Sequence, residues 1–396
     1  MSIRWLIPLL IFPSAVLCQQ VPPAGDRQKD MIDIGKHVFH VKAHPRSITQ
    51  KGIYFSVLPT ATQATGAAGL SVTATTAAFN IGDRGPVFLS TVTFAPYVAT
   101  QGRIGFSLRS NLWLPDNNWD ILGDSRLLYY PQETWGLGGR PGEGQRLAVN
   151  YKYVRFYQTF LRQIKPFLFA GAGLLIDDHY DLDTQGDSNL LQTFTHYKYG
   201  TSASKSSFSR GITLNLLYDA RKNSENPLPG YYASFVYRVD PPLPGSNSTW
   251  SSIYIDARKY LPFSRGRQDL LALWGYYWSV LEGHVPYFDL PSIGWDPYQQ
   301  RSGRGFPQNR YRGNSLAYAE AEYRRDITPD GLLGFVLFAN ANAVTEPGTD
   351  DFRYIHPAGG AGLRIKFNKR SGTNIAIDCG HSRQYTGVYI NLGETF

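Results

Sequence analysis

From about residue 51 the chain alternates apolar and polar positions in short runs separated by turn residues. Ile104, Phe106 and Leu108 share one parity, with Arg103, Ser107 and Arg109 on the other. Ile212, Leu214, Leu216 and Tyr218 alternate with Thr213, Asn215 and Asp219, and Tyr231, Ala233, Phe235, Tyr237 and Val239 with Ser234 and Arg238. The same rhythm sets Ile253, Ile255 and Ala257 against Tyr254, Asp256 and Arg258, and Leu363, Ile365 and Phe367 against Arg364 and Lys366. A period of two is the signature of a strand with two unlike faces. Charges recurring in mid-strand decide between the architectures that use such strands. A soluble sandwich would press its apolar faces together, whereas a membrane barrel turns them to lipid and lines a wet lumen with the charges. The pattern predicts an all-β fold, a 16-stranded antiparallel transmembrane β-barrel spanning residues 51–396.

The connections alternate in length. Short ones fall at 82–85, 115–118, 328–331 and 368–372, and longer ones at about 131–143, 178–205, 283–313 and 346–357. Short periplasmic turns and long outer loops give that asymmetry, and an even strand number places both ends of the barrel chain in the periplasm. The final run, Gly387-Val388-Tyr389-Ile390-Asn391-Leu392-Gly393-Glu394-Thr395-Phe396, reads as the closing strand. Its period of two would carry Val388, Ile390, Leu392 and Phe396 to the lipid face. The first strand, near 52–60, contains Pro59, which removes a ladder donor, while Gly387 and Gly393 weaken the last. The two strands make a seam able to part.

Residues 1–18 read as a secretory signal peptide, a short basic start followed by an apolar stretch too short to span a bilayer. Cys18 as a lipid anchor is the rival reading, and the bulky Leu17 before it counts against that. Residues 19–50 read as a periplasmic tail with one short amphipathic helix around Met31, Ile32 and Ile34. His37, His40 and His44 lie there at helical spacing, but no carboxylate or cysteine completes a ligand set, so a solvated face is expected and no metal.

Composition changes the picture little. Mean hydropathy is -0.28, ordinary for a soluble protein, but barrel strands hide in such averages because half of each faces water. A net charge of +8 is spread over strand positions without a cluster, which argues against nucleic acid. Cys379 alone in the mature chain excludes a disulfide framework. No nucleophile elbow, phosphate loop or zinc spacing is present, so no enzyme activity and no cofactor are expected. The acid pairs Asp177-Asp178 and Asp350-Asp351 read as solvated loop charges.

One connection stands out. About 30 residues separate the strand ending near Glu282 from the one starting near Asn314, too long for an idle loop. It holds Arg301-Ser302-Gly303-Arg304-Gly305-Phe306 and Arg312-Gly313-Asn314, and the strand after it carries Glu320-Ala321-Glu322-Tyr323-Arg324. Glu320, Glu322 and Arg324 share a parity and should all face inward. An arginine drawn into a lumen needs a carboxylate partner.

These residues, with Asp219-Ala220-Arg221-Lys222-Asn223 before Pro227 and Gly230, and the closing run above, make the chain similar to the BamA/TamA outer-membrane assembly superfamily, in its surface-antigen barrel domain. The resemblance implies a loop folded into the lumen with Arg304, Gly305 and Phe306 at its tip. It implies that Arg304 pairs with Glu322. Gly303 replaces a small apolar residue, and Asn340 stands where a second lumenal acid would align, which implies a weaker anchor. With only about 30 residues between the leader and the barrel, it implies a short member without POTRA repeats. The implied role is insertion or translocation of outer-membrane proteins through a seam holding Gly387, Tyr389, Gly393 and Phe396. A barrel without a docking module would do this as an accessory or partner-dependent factor, with outer-membrane lipid and assembly proteins or client barrels as its partners. A passive porin-like channel and a structural or adhesive surface antigen are the other readings of the same pattern.

Overall fold

A computed structural model describes residues 28–38, 54–60, 71–79, 81, 90–98, 102–140, 142, 145–184, 189–201, 206–221, 226–227, 229–242, 248–263, 269–298, 301–369 and 372–396. The expected leader with Cys18, as well as His40 and His44, lies outside them. The described strands are β1 Tyr54–Thr60, β2 Ser71–Phe79, β3 Ser90–Val98, β4 Ile104–Trp113, β5 Trp119–Tyr129, β6 Gln132–Thr134, β7 Leu147–Lys165, β8 Leu168–Asp183, β9 Ser206–Asp219, β10 Gly230–Asp240, β11 Trp250–Pro262, β12 Asp269–Gly283, β13 Ser315–Asp326, β14 Leu333–Val344, β15 His356–Asn368, β16 Thr373–Ser382 and β17 Tyr385–Leu392. Helix α1 spans Met31–Val38 and α2 Leu190–Thr195. No described helix is long and apolar enough to cross a membrane.

The sheet is an antiparallel up-and-down meander. β6 is a short piece on β7; each other strand pairs with the next, β5 passing over β6 to β7. Tight turns make this possible. Phe167, at φ 64, closes the β7–β8 hairpin, and Asp116 and Asn117 take positive φ between β4 and β5. α1 lies against the turns at the short-connection end. Asp30 accepts the Lys369 backbone N–H at 2.9 Å, Asp33 pairs with Lys369 Nζ at 2.6 Å, and the Lys29 N–H donates to the Asp330 carbonyl.

Burial along the strands is inverted relative to a soluble protein. On β9, Ile212, Leu214 and Leu216 are 54%, 61% and 44% exposed, while Thr213 between them is fully buried. On β7, Phe156, Phe160 and Ile164 are exposed and Arg155 is buried. On β13, Glu320, Glu322 and Arg324 are buried behind an outer row of Ala319, Ala321 and Tyr323. An apolar outer surface around a polar interior is stable only with an apolar solvent outside.

The polar face is covered by the chain itself. The loop of residues 284–314 makes hydrogen bonds with β7, β9, β12, β13, β14, β16 and β17. One loop reaches strands so far apart because the sheet curls around it. Aromatic side chains fill the space between loop and wall, among them Trp274, Tyr276, Tyr318, Phe306 and Tyr311.

Three sequence expectations need correction. Phe396 is 3% exposed and packs between Tyr260 and Trp274, ring centroids 6.4 and 5.1 Å away. β17 ends at Leu392, Gly393 takes φ 82, and the break in the extended backbone turns residues 394–396 inward. Val388 does face outward and Tyr389 inward, as the alternation predicts. Second, β8 continues to Asp183, paired with Asn150 of β7, so the loop expected at 178–205 starts later. Asp177 is therefore a buried strand residue and not a solvated loop acid. Third, not every strand charge lines the lumen as the pattern implied: Lys152 lies on the outer face and pairs with Asp181 at 2.5 Å. Its parity is opposite to that of Tyr151 and Tyr153, which are buried. Gly387 faces inward, where a Cβ would stand 2.5 Å from the Tyr389 hydroxyl.

The inversion yields a direct expectation. Leu214→Arg should lower unfolding stability in phospholipid vesicles by about 2–4 kcal/mol, as a charge on the lipid face does at mid-depth. Urea titration checks this, and an unchanged midpoint would mean that the face meets water.

Candidate functional site

The site is the loop tip and the wall it meets. Gly303 and Gly305 bracket Arg304 with φ of 79 and 98. Only glycine takes such angles freely, and a Cβ on Gly303 would stand 2.7 Å from Ile293 Cγ1. The departure at Gly303 is thus a requirement of this tip. The two glycines drive the Arg304 side chain into the wall while their N–H groups donate to tyrosines, Gly303 to the Tyr318 hydroxyl at 3.2 Å and Gly305 to the Tyr389 hydroxyl at 2.8 Å. Gly380 of β16 leaves the room, for a Cβ there would press on Gly305 N at 2.7 Å.

Arg304 meets three carboxylates. Its guanidinium donates to Glu320 and Glu322 of β13 and, at 2.7 Å, to Asp378 of β16. It lies over the Phe338 ring, 3.6 Å from the centroid. The expected pairing with Glu322 is present, but the anchor is larger than expected. Asn340 serves the tip through its side-chain amide, which donates to the Arg304 carbonyl at 2.9 Å, and the second partner strand for the charge is β16. Asp378 sits in an apolar-looking run, Ile375-Ala376-Ile377-Asp378-Cys379, where one inward acid on the parity of Asn374 and Ala376 is the only signal.

The charges continue past the tip. Asp378 accepts Arg364 of β15 at 2.6 Å, and Arg364 donates to Glu394 at 2.7 Å. Glu394 lies 3.8 Å from Arg324, which donates to Glu322 at 2.6 Å. Arg304, Asp378, Arg364, Glu394, Arg324 and Glu322 thus form a closed ring of alternating sign. All six are nearly fully buried. Arg301 Nη1 and Arg324 Nη2 also hold the main-chain oxygens of Glu394 and Phe396, at 2.5 and 2.9 Å.

A second cluster holds the middle of the loop. Asp177 of β8 accepts the hydroxyls of Tyr153 and Tyr157 at 2.6 Å each, Arg238 at 2.9 Å and Arg155 at 3.3 Å. Arg155 reaches the Pro297 carbonyl of the loop at 2.9 Å, and Ser209 donates to Asp289 at 2.5 Å. The void beside these groups is about 20 Å³, room for about one water. Nearer the outer end, the Tyr130 hydroxyl donates to Gln308 and the Asn309 amide to Gln132, and Arg312 bridges to Gly138 and Ser292. Among the described residues, the interior around the loop is filled by chain and charge. The described residues contain no cluster of His, Cys, Asp and Glu able to hold a metal.

Solved structures resemble this one across most of its length. BamA from Haemophilus ducreyi, in a form lacking POTRA domains 1–3, matches with a TM-score of 0.50 at 13% identity, over 91% of this chain and 76% of that one. The fold is that of the BamA-like barrels. CdiB from Escherichia coli matches with a TM-score of 0.57 at 13% identity, covering 89% of this chain and 63% of CdiB. CdiB from Acinetobacter baumannii gives 0.53 at 15%, over 86% and 60%. The chain therefore spans less than two thirds of either CdiB. No family model matches the sequence, and no curated sequence is similar to it. At these identities the likeness is one of fold. What the BamA-like fold adds is that the resemblance seen in the Arg304 loop and the architecture agree.

Removing Arg304 would leave three carboxylates buried together. Arg304→Ala should cost about 3–5 kcal/mol, and adding Glu320→Gln should recover part of it. Denaturant midpoints of the two single variants and the double variant check this coupling. Strictly additive effects would mean that the loop does not depend on the contact.

Proposed function

We propose that this chain is an outer-membrane barrel of sixteen strands, closed between β1 and β17, that takes part in inserting or translocating other outer-membrane proteins together with a partner. The single observation that carries the reading is the charged loop tip locked against the last two strands, on one side of the seam. Tyr389 of β17 receives the tip backbone and Asp378 of β16 its arginine. A loop with no role at the seam has no need of such an anchor there.

Other features support it. β1 and β17 approach one another without a ladder among the described residues, and the β1–β2 register shifts between Leu58 and Thr60, at Pro59. A weakly paired edge is a template to which an incoming strand can add. The outward apolar belt fits a bilayer, and α1 at the short-turn end fits an N-terminal segment on the periplasmic side. The filled interior speaks against a porin-like channel, and the reading is of a non-enzymatic protein with no cofactor. Its partners would be lipid and assembly proteins or client barrels.

Cysteines placed on β1 and β17 test the seam. Loss of the gene should reduce at least one outer-membrane or secreted protein, the oxidised variant should reproduce that loss, and a reductant should restore the protein. If the oxidised variant works as well as the unaltered chain, the seam has no role.

A further inference from the structure

We infer that the loop tip and the segment Gly393–Phe396 form one latch, so that withdrawing Arg304 releases that segment and, with it, the edge of β17. The inference is about the chain's own conformational coupling; only its consequence for clients rests on the function proposed above.

The segment is held in three ways, one directly by the loop and two through arginines that the loop tip's carboxylates share. The Glu394 carbonyl accepts Arg301, three residues from Arg304. The Glu394 carboxylate is held by Arg364 at 2.7 Å and by Asn374 at 2.6 Å. Phe396 sits between Tyr260 and Trp274, with its main-chain oxygen on Arg324. Arg364 and Arg324 are shared, because Arg364 also serves Asp378 and lies 3.8 Å from Glu322, while Arg324 also serves Glu322.

That sharing makes the coupling. With Arg304 in place, the six-membered ring is neutral, three arginines facing Glu322, Asp378 and Glu394, and Glu320 is covered by Arg304 and Tyr318. Take Arg304 away and four carboxylates face two arginines. Glu320, Glu322 and Asp378 are fixed in strands, whereas Glu394 follows Gly393, a hinge at φ 82. Arg364 and Arg324 would turn to the fixed acids, and the acid free to leave is Glu394. Arg301 departs with the tip in the same movement. By linkage the effect is mutual, so removing Glu394 must also loosen the tip.

The test uses the full chain with Cys18→Ser, Cys379→Ser and a thiol introduced by Thr395→Cys, a buried position, and reads maleimide labelling in detergent and in vesicles. Arg304→Ala and, separately, Arg301→Ala should each speed labelling by about ten-fold or more, the size of a typical coupling between sites. Arg155→Ala, which loosens the loop elsewhere, should change it less than either. Heat-modifiable gel migration checks that each variant is folded. Should Arg304→Ala fail that check, Arg304→Gln, which removes the charge but keeps a polar side chain at the tip, takes its place with the same expectation. A folded Arg304 variant that labels at the unaltered rate overturns the latch, as does Arg155→Ala labelling as fast as Arg304→Ala. Neither outcome depends on any client.

Discussion

The buried Arg304 guanidinium, facing Glu320, Glu322 and Asp378, is the contact on which the rest of this interior depends. A barrel wall that spends its apolar side chains on the outside has little left with which to fill its inside. The chain fills it with a loop, and a loop brings backbone dipoles and charges that need partners away from water. The solution is a set of arginines that lie on aromatic faces and end on carboxylates. Arg304 covers Phe338, Arg238 lies 4.6 Å from the Trp250 ring centroid, and Arg258 lies 5.0 Å from that of Trp274. Such pairs offset their desolvation only when every member is satisfied, so they contribute specificity of arrangement more than stability. They set where the loop tip must be.

The arrangement has a consequence for how the interior can move. An apolar plug can slide by degrees, whereas a closed ring of alternating charge is either made or broken, since each member removed leaves another buried and unpaired. This is the kind of two-state element on which a coupling between distant parts can rest. The tip, β13, β15, β16 and the inward-turned segment after β17 all contribute to the ring, so it ties the loop to strands spread from β13 to the end of the sheet.

The fold was legible because the strands obey a strict period of two and because their charges lie opposite apolar faces. Glu320, Glu322 and Arg324 could be placed on the inner face from parity alone, and Arg304 could be paired with Glu322 from the resemblance. What was not legible falls where parity fails or where partners are far apart in sequence. Gly393 breaks the alternation, so the reading that carried Phe396 to lipid continued a strand the backbone had left. Asp177 read as a loop charge because nothing local signals that Arg238, 61 residues away, comes to meet it. Asp378 went unnoticed for a similar reason, since its partner Arg304 lies 74 residues away. Ring partners of this kind are fixed by the curl of the sheet and leave no mark in any short window of sequence.

The most direct measurement is single-channel conductance across a planar bilayer, first of the unaltered chain and then of the Arg304→Ala variant. A lumen plugged by a locked loop predicts a closed unaltered barrel with rare, brief openings, and frequent or sustained openings once Arg304 is gone. Steady, open conductance from the unaltered chain, unchanged by the substitution, would contradict the account.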